Sequence, residues 1–166
     1  MILHVLRRKY IWKLIKNNKS VNITINQKAI SDKSDTVDFI RVLGNTTGSH
    51  LAGAKEDPYG ELETFSVETS DINEVLLNND FVKMDIEGQE ATAILSTKKD
   101  TWANVEMILE VGTEKNAKII FEYLNEINVN MFSQKTGWNK VSDLADVPTS
   151  YKEGSLFLSV ADEMSW

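Results

Sequence analysis

The chain has 166 residues, 42% of them hydrophobic, and a formal charge of −7 at neutral pH. That is the length of a single domain, able to bury roughly 70% of its unfolded surface without staples. The absence of cysteine excludes disulfides, thiolate metal sites and thiol nucleophiles, and the acidic balance speaks against a nucleic-acid partner held through its phosphates.

No run approaches the ~20 apolar residues of a membrane span, and Met1 to Val5 is too short for the apolar core of a signal sequence; the expectation is a soluble, cytoplasmic protein. Ile2 to Leu6 reads as a short strand running into a helix with Ile11, Leu14 and Ile15 at helical spacing. Arg7, Arg8, Lys9, Lys13, Lys16 and Lys19 gather here, which suits a phosphate or anionic surface as well as a solvated helix face. Val21 to Ala29 alternates apolar and polar residues as a strand does and ends in the turn Ser31 to Asp35. Val37 to Leu43 and Leu62 to Val67 are further strands, separated by the Gly-, Thr- and Ser-rich stretch from Gly44 to Gly60, an antiparallel excursion. Ser70 is a candidate N-cap for a short helix carrying Ile72, Val75 and Leu76.

Phe81 to Asp85 is a short apolar run closed by Asp85, Glu87 and Gly88, the pattern of a buried central strand that delivers acids to its carboxyl end. Ligands of open α/β sheets bind at such ends, and Gly88 allows close approach of the backbone. The same acids would also favour the positive start of a following helix. Ala91, Ile94 and Leu95 mark that helix, Val105 to Val111 the next strand, and strand, helix, strand implies a right-handed parallel crossover. Ala117, Ile120, Leu124 and Ile127 form a helical stripe, followed by strands near Val129 to Ser133 and Ser155 to Ala161.

Other constellations are thin. His4 and His50 are far apart, with structural or solvated roles favoured, and neither a Ser-His-Asp set nor a phosphate-binding G-x-x-x-x-G-K-[ST] loop is evident. Asp85, Glu87 and Glu110 have the hard oxygens that suit Mg²⁺, but without a phosphate loop beside them no metal is assigned. Trp12, Trp102, Trp138 and Trp166 read as packing residues, with Trp138, in a loop, the one that could meet a substrate.

Lys83-Met84-Asp85-Ile86-Glu87-Gly88-Gln89-Glu90 resembles the K-x-D-x-E-G-x-E signature of FkbM-type methyltransferases. Asn26 to Ser34 resembles that family's strand and A-x-S-D loop, Thr69-Ser70-Asp71-Ile72 its next helix start, and Ile108 to Val111 its acid-ended strand. The resemblance implies an S-adenosylmethionine-dependent O-methyltransferase with a Rossmann-like sheet, mixed and mostly parallel, with helices on both faces. It places Asp85 and Glu87 as catalytic and Ala29, Ile30, Ser31 and Asp32 beside the cofactor's adenine; Glu110, at its acid-ended strand, and Trp138, from its loop position, are expected toward a small-molecule or glycan hydroxyl acceptor.

The chain departs from the pattern at its start. The family's first strand with its glycine-rich loop has no counterpart, and Leu6 or Arg7 stands where an acid should hold the ribose hydroxyls. A cationic or apolar side chain cannot accept those hydrogen bonds. The expectation is an N-terminally truncated methyltransferase domain over residues 1–166, with Phe81 to Asp85 paired on its vacated side by Ile2 to Leu6 or by a second copy in a homodimer. The alternative is a noncatalytic, methyltransferase-like remnant serving as an interaction module.

Overall fold

The computed structural model describes residues 24, 26–43, 61–86 and 89–164, together with the backbone of 50–51. Ile2 to Leu6, the basic stretch after it, His4, Glu87, Gly88 and Trp166 lie outside the described residues.

Strands β1 (Ala29–Ser31), β2 (Thr36–Val42), β3 (His50–Leu51) and β4 (Leu62–Asp71) form a sheet of order β1-β4-β2-β3. β2 and β4 pair antiparallel from Thr36 opposite Glu68 to Val42 opposite Leu62, the expected excursion. Across this hairpin Phe39 meets Phe65 with ring centroids 5.4 Å apart. Arg41 lies over the Phe65 ring at 4.9 Å and pairs with Glu63 at 2.8 Å. Of the expected strand from Val21 to Ala29, Val21 to Ile23 and Ile25 lie outside the described residues; Ala29–Ser31 pairs in parallel with the end of β4.

That same pairing carries β4 beyond Val67 through Ser70, so Ser70 is a strand residue and not a helix cap. Asp71 takes the capping role, accepting the Asn73 N–H at 2.8 Å at the start of α1 (Ile72–Leu77). Ser and Asp are equally good caps, and the parallel ladder decides between them.

β5 (Phe81–Met84), β6 (Glu106–Glu110), β7 (Asn130–Ser133), β8 (Asn139–Lys140) and β9 (Ser155–Ser159) form a second sheet, of order β5-β6-β9-β7-β8. Helices α2 (Glu90–Leu95) and α3 (Glu114–Glu126) are the further α-helices among the described residues. Among the described strands parallel pairing is confined to β1 with β4 and β5 with β6, so the expected mostly parallel sheet is corrected to one in which antiparallel ladders dominate. The reason is connectivity: a helical crossover leads from β5 to β6, whereas β9 enters between β6 and β7 against both.

The strand expected on β5's other side, Ile2 to Leu6, lies outside the described residues. β5 ends the sheet order among the described strands, and Phe81 is 47% exposed while Met84 is buried. The alternation follows the pleat: Val82 and Met84 share the packed face with Met107 and Leu109, their partners on β6.

The core lies on that face. Met84, Met107, Leu109, Leu156 and Leu158 pack with Ile72 and Leu76 of α1, Ala93 and Ile94 of α2, and the Ala117, Ile120 and Leu124 stripe of α3. α3 begins at an N-cap, Thr113, whose hydroxyl accepts the Asn116 N–H at 3.1 Å. On the opposite face Phe132 and Phe157 are buried side by side, centroids 5.9 Å apart.

Ser133, at the end of β7, is fully buried with its hydroxyl lacking a hydrogen-bond partner. An unmet buried hydroxyl costs about 1–3 kcal/mol, so Ser133→Ala is expected to stabilise the fold by about 1 kcal/mol. Chemical denaturation checks this, and a lowered midpoint with an unchanged slope would refute it.

Candidate functional site

β5 and β6 run parallel, and β9 opposes both β6 and β7, so β5, β6 and β7 all end on one rim of the sheet. The register Met84 opposite Leu109 means that Asp85 and Glu110 leave adjacent strands abreast, on backbones about 4.8 Å apart. Asp85 is half exposed, its side chain at 50%, with a 3.9 Å ion pair to Lys83. Glu110 is half-buried and faces Ser155 across the ladder. The rim thus carries two carboxylates side by side, as the acid-ended strands suggest.

Behind Asp85 the chain turns into α2, whose first residue, Glu90, is only 3% exposed. Its carboxylate accepts the Ile86 N–H at 3.3 Å and the Asn116 side-chain N–H, also at 3.3 Å. Neither partner is signalled by spacing; the one sequence hint is that Glu90 closes the acid-rich signature.

The Ala29–Asp32 stretch lies against α2, with Ile30 packed on the core and Ser31 half-buried at the end of β1. Ser31 donates from its hydroxyl to the exposed Asp32 carboxylate at 2.9 Å. This loop and the Asp85 loop therefore flank one helix.

Trp138 does not join them. It lies in the turn between β7 and β8, at the far edge of the sheet, three to four strand spacings or about 15 Å or more from β5. Gly137 and Trp138 both adopt positive φ there, 74° and 65°, and the Trp138 N–H donates to the Ser133 carbonyl at 2.7 Å.

The same end of the rim is tied down by its own polar groups. Gly154 has φ 100°, and a Cβ on it would come within 2.5 Å of Gln134 Oε1, the atom that accepts the Ser155 N–H at 3.0 Å. Glu153 accepts from the Thr149 N–H at 2.7 Å and hydroxyl at 3.1 Å, which together with Lys135 hold its carboxyl below the usual range. Asp146 is lowered likewise by the backbone N–H groups of Ser142 and Asp143.

Among the described residues no group of three or more His, Asp or Glu could hold a metal ion. A cleft touching Leu76, Asp80, Asp100 and Asn104 lies at the other end of the sheet, where β5 begins, away from the acids. No described helix is long and apolar enough to cross a membrane.

No curated protein and no solved structure matches the chain. Residues 8–139, however, match the family model described as the methyltransferase FkbM domain, and that span contains β1 to β7, the Asp85 and Glu110 rim, Glu90 and the Ala29–Asp32 loop. By this match over most of its length, the chain belongs to the FkbM-domain methyltransferases.

Proposed function

We propose that the chain serves S-adenosylmethionine-dependent O-methyl transfer to a hydroxyl acceptor, a small molecule or a glycan, within a Rossmann-like methyltransferase domain in the cytoplasm. The observation that carries the reading is the pair Asp85 and Glu110 at the carboxyl ends of adjacent parallel strands, inside the family match. The bound cofactor supplies an electrophilic methyl group on a sulfonium. Asp85, with Glu87 beside it in sequence, orients the acceptor hydroxyl, and one of these carboxylates takes its proton as general base. Methyl transfer requires mainly alignment, so holding the acceptor at the rim carries much of the rate. Glu110 lines the acceptor side.

The residues fit the cofactor in part. The exposed Asp32 carboxylate can accept from an adenine amino group, with Ala29, Ile30 and Ser31 forming the wall behind it. Within residues 1–166, however, no acid precedes Asp32 and no glycine precedes Gly44, so this stretch by itself does not offer the usual ribose and methionine contacts. The same observation favours the second reading, a noncatalytic module of the same family.

Affinity for S-adenosylhomocysteine is therefore expected to be weaker than about 1 mM, under about 4 kcal/mol. At millimolar ligand, NMR should show shifts confined to the amides of Ile30 to Asp32 and of Asp85 and Ile86. Unmoved amides at these positions together with no methyl transfer at millimolar S-adenosylmethionine would overturn the methyltransferase reading and leave the interaction module.

A further inference from the structure

Among the described residues of the β5–α2 connection, Glu90 is the charged side chain that the fold takes out of water, at 3% exposure. A buried carboxylate is retained only where its acceptor capacity is used. One oxygen is used on the Ile86 N–H, in the residue after Asp85, and the other on the Asn116 side chain in the first turn of α3. Asn116 is itself fixed through its N–H to the Thr113 hydroxyl, in the loop that follows Glu110. The two rim loops, one after each acid-ended strand, are thereby joined through a single buried carboxylate. Asp85 by contrast has, among the described residues, only a long, half-exposed ion pair of its own.

We propose that Glu90 is a positioning residue: it sets the backbone under Asp85 by tying Ile86 to α3, and so fixes the distance between the Asp85 and Glu110 loops. Its relevance to methyl transfer rests on the reading above, but the clamp does not. The geometry requires acceptors more than charge. Glutamine keeps an oxygen for the Ile86 N–H, and the Asn116 amide can turn over to accept from the new amide nitrogen.

The test is amide hydrogen exchange on three proteins: wild type, Glu90→Ala and Glu90→Gln. In wild type the Ile86 amide should be protected. In Glu90→Ala it should exchange at least about tenfold faster, the loss of one hydrogen bond to a charged group, while Met107 and Leu109 remain unchanged. Glu90→Gln should restore protection, and in a transfer assay at millimolar S-adenosylmethionine the alanine variant should lose kcat with KM for cofactor retained, again restored by glutamine. Should Glu90→Ala fold poorly, Asn116→Ala removes one arm alone and should also speed Ile86 exchange.

An unprotected Ile86 amide in wild type would overturn the clamp. So would Ile86 exchanging in step with Leu109 in the variants, or Glu90→Gln behaving as Glu90→Ala. If wild type shows neither ligand shifts nor transfer, the methyltransferase reading fails by itself, and the exchange pattern still decides the clamp.

Discussion

Trp102→Ala is expected to lower stability by about 3–5 kcal/mol, a large share of the ~5–15 kcal/mol net stability of a domain. Trp102 is fully buried in the turn that leads into β6, and it is the largest side chain of the core. Its indole N–H donates to the Thr97 hydroxyl oxygen at 3.0 Å, and that hydroxyl donates in turn to the Ile94 carbonyl at 2.7 Å. The Tyr123 hydroxyl of α3 donates to the Thr97 carbonyl. Thr97 thus joins the end of α2 to the flank of α3 and, through the indole, to the entry of β6. Truncation empties the volume and leaves the polar chain around Thr97 without its outer donor. Trp102→Phe keeps most of the volume and loses only the N–H, so it should cost about 1–2 kcal/mol. Denaturant titration of both variants checks the ordering. Equal costs for phenylalanine and alanine would mean that packing contributes little beyond the hydrogen bond, against the burial observed.

Much of this arrangement is legible in the residues, and the gaps have physical causes. The stripe Ala117, Ile120 and Leu124 gives α3 because one buried face repeats at 3.6 residues, and Glu106 to Glu110 gives β6 because its run is apolar and short. The acid-ended pair Asp85 and Glu110 is legible for the same reason, since both acids interrupt apolar runs. Strand order is not, because sequence carries no record of which edge a strand finds. The insertion of β9 between β6 and β7, and the distance it puts between Trp138 and Asp85, follow from pairing alone. Nor does composition reveal that β4 changes partner near Thr69, where the Asp35 N–H donates to the Thr69 hydroxyl at 2.9 Å and that hydroxyl donates to the Lys33 carbonyl at 2.8 Å. Glu90 was hidden by its charge: an acid at a helix start reads as a solvated group favoured by the dipole, and only the fold shows it buried.

Asp85→Asn is expected to separate chemistry from stability. The side chain is half exposed and its ion pair to Lys83 spans 3.9 Å; such surface pairs contribute ~0–1 kcal/mol. It caps nothing, because α2 starts at Glu90 with Gln89 in the cap position. The melting temperature should therefore fall by no more than about 2 °C, the shift that corresponds to well under 1 kcal/mol in a chain of this size. Had the acid served only to start the helix, the loss would be about 0.5–2 kcal/mol. Asparagine keeps the shape and one acceptor oxygen but cannot take a proton, so under the proposed mechanism transfer from labelled S-adenosylmethionine should drop by about 10²–10⁴-fold. On the proposed reading Asp85 serves the acceptor and the Ala29–Asp32 loop the adenine, so the shifts induced by S-adenosylhomocysteine at Ile30 to Asp32 should persist. Glu110→Gln supplies the comparison: Glu110 ends the neighbouring strand, and on the proposed reading, in which it lines the acceptor without handling the proton, the change should alter KM for acceptor more than kcat. A variant Asp85→Asn that transfers methyl groups at the wild-type rate would remove Asp85 from the chemistry and leave Glu87 as the remaining candidate for the base.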